Sequence, residues 1–125
     1  MNAGDVAALL EDAPAQRDAY PDEMLGHYLV GRALFMMEQD AEAQANLTEA
    51  IAREENDRPH FWRGLSRQQT GDAEGARDDF QRAFELDPTA PHYGLELGRQ
   101  LAGLGDFAGA RAALEKAVAA NPQYV

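Results

Sequence analysis

His27, His60 and His92 are the side chains best suited to hold a metal ion, and Ser66, the lone serine, is the hydroxyl most readily cast as a nucleophile. A metal site would need imidazoles from different segments to converge with further ligands. A serine nucleophile would need a base in hydrogen-bond reach and donors facing an oxyanion. Ser66 sits in a helical pattern with no oxyanion turn, which argues against a hydrolase. Gly103-Leu104-Gly105 suggests a phosphate loop, but no strand pattern precedes it and Gly109 falls one residue late for the dinucleotide fingerprint. It reads as a turn between helices. Asn46-Leu47-Thr48 matches a glycosylation sequon, yet Leu47 belongs to the apolar face of a helix. Asp78-Asp79 falls on a charged outer helix, where solvation is the expected state and no acid–base dyad forms. No catalytic residue, metal or cofactor is expected, and the chain reads as non-enzymatic.

The elements that must position any functional side chain come from a repeat. GDAEGARDDFQRAFELDP at 71–88 recurs as GDFAGARAALEKAVAANP at 105–122, 34 residues on. Gly64, Gly71, Ala76, Phe80, Ala83 and Pro88 match Gly98, Gly105, Ala110, Leu114, Ala117 and Pro122. An earlier copy, 33 residues upstream, supplies Gly31, Ala43, Leu47 and Ala50, with Glu38 at the turn and Glu55 in place of the proline. Gly64, Ala76 and Ala83 leave room for two antiparallel helices to approach, while Phe80 and Leu86 are expected to fill the space between successive pairs. Gly71 suits the left-handed end of one helix and Asp72 the N-cap of the next.

This spacing resembles the tetratricopeptide repeat, over about residues 24–124. The resemblance implies an all-α fold, a right-handed superhelical solenoid of antiparallel helix pairs, with three full repeats preceded by a degenerate N-terminal half repeat. Residues 1–125 then form one domain: a half repeat or cap at 1–23 and repeats at 24–56, 57–90 and 91–124. In the half repeat, Leu9 and Ala13 take the packing positions, and Pro14 is expected to break the helix after about Ala13. Tyr20-Pro21-Asp22-Glu23 is expected to open the next helix, with acids in its first turn. The family's first-helix aromatic is replaced by His27, His60 and Gly94, so the two imidazoles read as structural groups and looser first-helix packing is expected. Arg63 stands where the second repeat would carry leucine.

Composition narrows the partners. A chain of 125 residues with 45% apolar and 26% charged residues can bury a core, and without cysteine it has no disulfide or thiolate site. No secretory signal or membrane-length apolar run is visible, so a soluble cytoplasmic protein is expected. The net charge of -11, from 22 acidic and 11 basic residues, argues against nucleic acid and anionic membrane as partners. Only Lys116 among the basic residues is a lysine.

In the resembled family the first helices line a concave binding face. Carried over by register, that face takes Tyr28, Arg32, Phe35, Arg58, Phe61, Trp62, Leu65, His92, Leu95 and Arg99 as a peptide-binding groove. Tyr28, Phe61 and Trp62 beside Arg32, Arg58 and Arg99, in an acidic protein, point to apolar anchors and at least one acidic group on the ligand. A Lys, Asn and Arg clamp for a C-terminal carboxylate, found in some family members, is mostly absent, because the matching positions hold Tyr28, Arg32, Trp62, His92 and Glu96. The leading expectation is a non-catalytic protein–protein interaction scaffold that binds a peptide or helix of a partner. The alternatives are a secretion-type or assembly chaperone, and a regulatory or oligomerisation domain of a larger enzyme. The last helix is expected to expose Ala113, Leu114, Ala117 and Val118, which suggests homo-oligomers through an uncapped edge or a further downstream segment.

Overall fold

A computed structural model describes residues 12–124, and among these no strand occurs. The described part of the first helix, α1, covers 12–19. Three pairs follow: α2 (Met24–Met36) with α3 (Asp40–Arg53), α4 (Asp57–Gln69) with α5 (Ala73–Leu86), and α6 (Tyr93–Gly103) with α7 (Phe107–Ala120). A 3-10 turn, Pro122–Tyr124, closes the described chain. Successive pairs join where α3 packs on α4 and α5 on α6.

The close approach within each pair is repeated three times. A Cβ placed on Gly31, Gly64 or Gly98 would come within 2.7, 2.8 and 2.9 Å of Leu47, Phe80 and Leu114 respectively. Only hydrogen fits there. Ala43, Leu47, Ala50, Ala76, Phe80 and Ala83 are all fully buried beside these glycines. Between the second and third pairs the filler is Phe84, buried in one cluster with Tyr93, Leu97, Ala113 and Ala117. Leu86 is 37% exposed and does not take the role expected of it, because it ends α5 and points off the interface.

Turn chemistry follows the residues. Gly71 and Gly105 adopt φ of +85 and +87, and the Asp72 and Asp106 carboxylates each accept a 2.9 Å bond from the backbone N–H three residues on. Glu38 holds the corresponding turn at φ 60 without being glycine. α5 stops at Leu86 and α7 at Ala120, each two residues before a proline.

Several expectations are corrected. Pro14 lies inside helix 12–19 and does not end it. A proline constrains the turn before it and leaves the turn after it free to be helical. Leu9 lies outside the described residues, whereas Ala13 is buried against Val30, Leu34 and Ala43. Tyr20 to Glu23 precede α2, whose first turn has no acid, and the Pro21 carbonyl is instead bound by His27 and Arg53. First-helix packing is tight. A Cβ on Gly94 would lie 2.4 Å from that of Ala117, and His27 and His60 are buried. On α7, Ala113 and Ala117 face inward, leaving Phe107, Leu114 and Val118 as the exposed apolar residues.

Candidate functional site

The first helices and the loop before α6 enclose a concavity of about 290 Å³ lined by Tyr28, Arg32, Arg58, Phe61, Trp62, Ala90, His92 and Tyr93. Tyr28 and Arg32 lie one turn apart on α2, and Arg58, Phe61 and Trp62 come from the opening turns of α4. Asn56 caps α4 through a 3.0 Å bond to the Arg58 N–H, which fixes where that helix begins. His92 is the residue before α6, not part of it.

Arg32 is the centre of this arrangement. Its guanidinium carbon lies 5.0 Å from the Trp62 ring and 5.8 Å from that of Tyr28, a double cation–π contact. Its Nε is buried with no hydrogen-bond partner among the described residues. No carboxylate there pairs with Arg32 or Arg58. The walls pack ring against ring. Trp62 meets Phe35 edge-on at 5.5 Å and Phe61 at 6.1 Å, and Phe61 meets Tyr93 at 5.0 Å. The Tyr93 hydroxyl donates a 2.6 Å bond to Asp57, and burial together with that carboxylate raises its pKa, so it stays a protonated donor.

Six of the ten residues expected in a groove therefore share one cavity: Tyr28, Arg32, Arg58, Phe61, Trp62 and His92. Phe35 supports Trp62 from behind, and Leu65 packs on the core cluster of Phe80 and Leu97. Leu95 is half-buried on α6, and Arg99 is exposed and spent on Glu96 at 3.1 Å. Ala90 and Tyr93 line the cavity without having been singled out, although Tyr93 adjoins the row containing His92.

A tetratricopeptide-repeat model matches residues 58–90 and a second matches residues 95–124, together about half of the chain. The chain belongs to the tetratricopeptide-repeat family. As a repeat protein it is an all-α solenoid, and such repeats support a protein-interaction scaffold. A crystal structure of MamA is 18% identical with a TM-score of 0.83, over 95% of this chain and 70% of that one. MamA from Desulfovibrio magneticus RS-1, residue 41 to the end, is 21% identical with a TM-score of 0.80, over 94% and 67%. TTC0263, a thermophilic repeat protein of Thermus thermophilus, is 21% identical with a TM-score of 0.78, over 95% and 67%. At these identities the likeness is one of fold, and this chain spans about two thirds of those solved chains. No curated protein matches in sequence. No helix among the described residues is long and apolar enough to cross a membrane.

The second tetratricopeptide repeat also holds a buried ion cluster, and here the expectation of a solvated Asp78-Asp79 pair is overturned. Asp79 is 2% exposed. It accepts bonds from Arg63 at 2.7 and 2.9 Å and from Arg67 at 2.9 Å, and contacts His60 at 3.2 Å. Burial pushes its carboxyl up, and the bonds from His60 and Arg63 with the charge of Arg67 more than reverse this, so its pKa is lowered overall. This explains Arg63 in a leucine register. Of the three arginines of α4, Arg63 and Arg67 pair internally with Asp79, and only Arg58 has no carboxylate partner among the described residues. His60 also reaches Glu55 at 2.7 Å, and His27 contacts the Pro21 carbonyl at 3.1 Å. Neither imidazole belongs to a metal-binding group of three His, Asp or Glu among the described residues. Ser66 is fully buried and donates to Asp40 at 2.7 Å while accepting from Gln44, tying α4 to α3. Leu47 of the sequon is fully buried in α3, and Asn46 bonds Arg17 and the Glu42 carbonyl.

Proposed function

We propose that this protein is a non-catalytic scaffold whose first-helix cavity holds a segment of a partner protein through one acidic side chain and an adjoining apolar one. One observation carries the reading. Among the described residues, eight of the 11 basic side chains pair with a carboxylate, and of the remaining three, Arg32 and Arg58 line the same aromatic cavity. In a chain of net charge -11, Arg32 keeps a buried, unpartnered Nε against an aromatic wall with the exposed Arg58 beside it, an arrangement that an acidic ligand would complete.

The acidic side chain would seat between the two guanidiniums, and the apolar one against Trp62 and Phe61. Arginine and tryptophan together are what binding hot spots favour. Trp62 is the only tryptophan and lines the cavity, so its emission reports occupancy directly. A peptide array spanning acidic, neutral and basic sequences should enrich acidic peptides with an apolar neighbour, and those peptides should shift Trp62 fluorescence. Arg32→Ala with Arg58→Ala should weaken them at least about tenfold, the scale of one or two charge-assisted hydrogen bonds. Enriched peptides that bind the folded double variant as tightly as the parent, or that leave Trp62 emission unchanged, would show that the cavity is not the site.

A further inference from the structure

We infer that the outer face of α7 is an interface with a second copy of this chain, in which two α7 helices pack antiparallel about a two-fold axis. This face carries the most exposed apolar patch among the described residues: Phe107 is 71% exposed, and Leu114 and Val118 are each 39%. Together with Ala110, Arg111 and Glu115 they line a shallow depression of about 620 Å³. The register shows what the patch lacks. Phe80, the α5 counterpart of Leu114, is fully buried because α6 covers it. Nothing among the described residues covers Leu114 in the same way.

Two features select a second copy as the cover. Phe107, Arg111, Leu114 and Val118 are spaced four, three and four residues apart, a pattern that reads identically in both directions. An antiparallel copy therefore sets Phe107 on the partner's Val118 and Arg111 on the partner's Leu114, and the same contacts recur across the axis. Arg111 then lies within one residue's rise, about 1.5 Å, of the partner's Glu115. The second feature is charge. α3 and α5 each hold more acids than bases, whereas α7 holds Arg111 and Lys116 against Glu115 alone. Two copies of a chain with net charge -11 repel everywhere that acids dominate, and α7 is a face where they can meet without that cost. The mutual exchange of Arg111 and Glu115 across the axis replaces the intrahelical pair at 2.8 Å that each copy shows alone.

Sedimentation equilibrium of the full chain up to about 0.1 mM tests this, a range that populates interfaces at the small end of the specific class. A monomer–dimer equilibrium is expected. Phe107→Glu, at an exposed site that leaves the fold intact by circular dichroism, should weaken it at least tenfold. Glu115→Arg should weaken it as well, and R111E/E115R should restore it, a rescue that loss of apolar area alone cannot produce. A monomer throughout the range would overturn the interface. So would growth beyond dimers, which marks a head-to-tail contact, or a double variant that fails to recover.

Discussion

Asp79 shows how a single residue can depend on its whole surroundings. Its carboxylate is almost without solvent and is held by two arginines and an imidazole. Asp79→Ala strands Arg63, so we expect a loss of about 3 kcal/mol, the lower end for breaking a buried pair because Arg67 retains some access to water and to Asp72. Equilibrium urea unfolding measures it. The pH dependence has a definite sign. A carboxyl depressed in the fold contributes stability that is present above its unfolded pKa near 4 and is lost as pH falls through the folded value. Urea midpoints taken between about pH 5 and about pH 2.5 should therefore fall more steeply for the parent than for Asp79→Ala. Parallel slopes would show that the cluster carries no such linkage. Glu38 is the other residue at odds with its place, since φ 60 suits glycine, which the two later turns contain. Relief of roughly 1–2 kcal/mol of left-handed strain, against roughly 0.5–1 kcal/mol of added chain entropy, leaves Glu38→Gly more stable by about 0.5–1 kcal/mol. Calorimetric melting of the two proteins decides it.

At the scale of helix pairs, the second and third repeats solve one packing problem in two ways. His60, Arg63, Arg67 and Asp79 of α4 and α5 correspond, 34 residues on, to Gly94, Leu97, Leu101 and Ala113 of α6 and α7. One set is an ion cluster and the other an apolar seam. Replacing Arg63, Arg67 and Asp79 together with Leu, Leu and Ala should bring stability to within about 1 kcal/mol of the parent or above it, because the desolvation cost of the charges disappears along with their attraction. A triple variant less stable than Asp79→Ala alone would mean that the apolar side chains do not fit. Small residues set the helix spacing everywhere else. Ala83→Leu, at a fully buried site, should cost about 1–3 kcal/mol by overpacking, while Ala119→Leu on the exposed face of α7 should cost almost nothing. Equal urea midpoints would show that the inward face is misassigned.

For the molecule as a whole, the helix pairs and their turns were legible in the sequence because small residues, turn glycines and caps recur at fixed intervals and act locally. The site was legible only in part. Register placed Tyr28, Arg32, Phe61 and Trp62 on one side, but it could not show that Arg99 is held by Glu96 or that Arg63 and Arg67 turn inward to Asp79, because those pairings depend on distances between helices. The same one-dimensional stacking makes stability uneven along the chain, since each pair is held only by its neighbours. Among the described residues α5 lies between α4 and α6, whereas α7 has neighbours on one side, chiefly α6 with Phe84 of α5, and the closing 3-10 turn. Amide exchange in α7 should therefore run through partial opening, faster than in α5 and without global unfolding. If two copies meet through α7, raising the protein concentration should slow exchange in α7 and leave α3 and α5 unchanged, because binding stabilises only the state that holds the interface. Hydrogen-exchange mass spectrometry at two concentrations separates these cases: uniform protection of all helices would contradict the solenoid gradient, and concentration-independent exchange in α7 would contradict the interface.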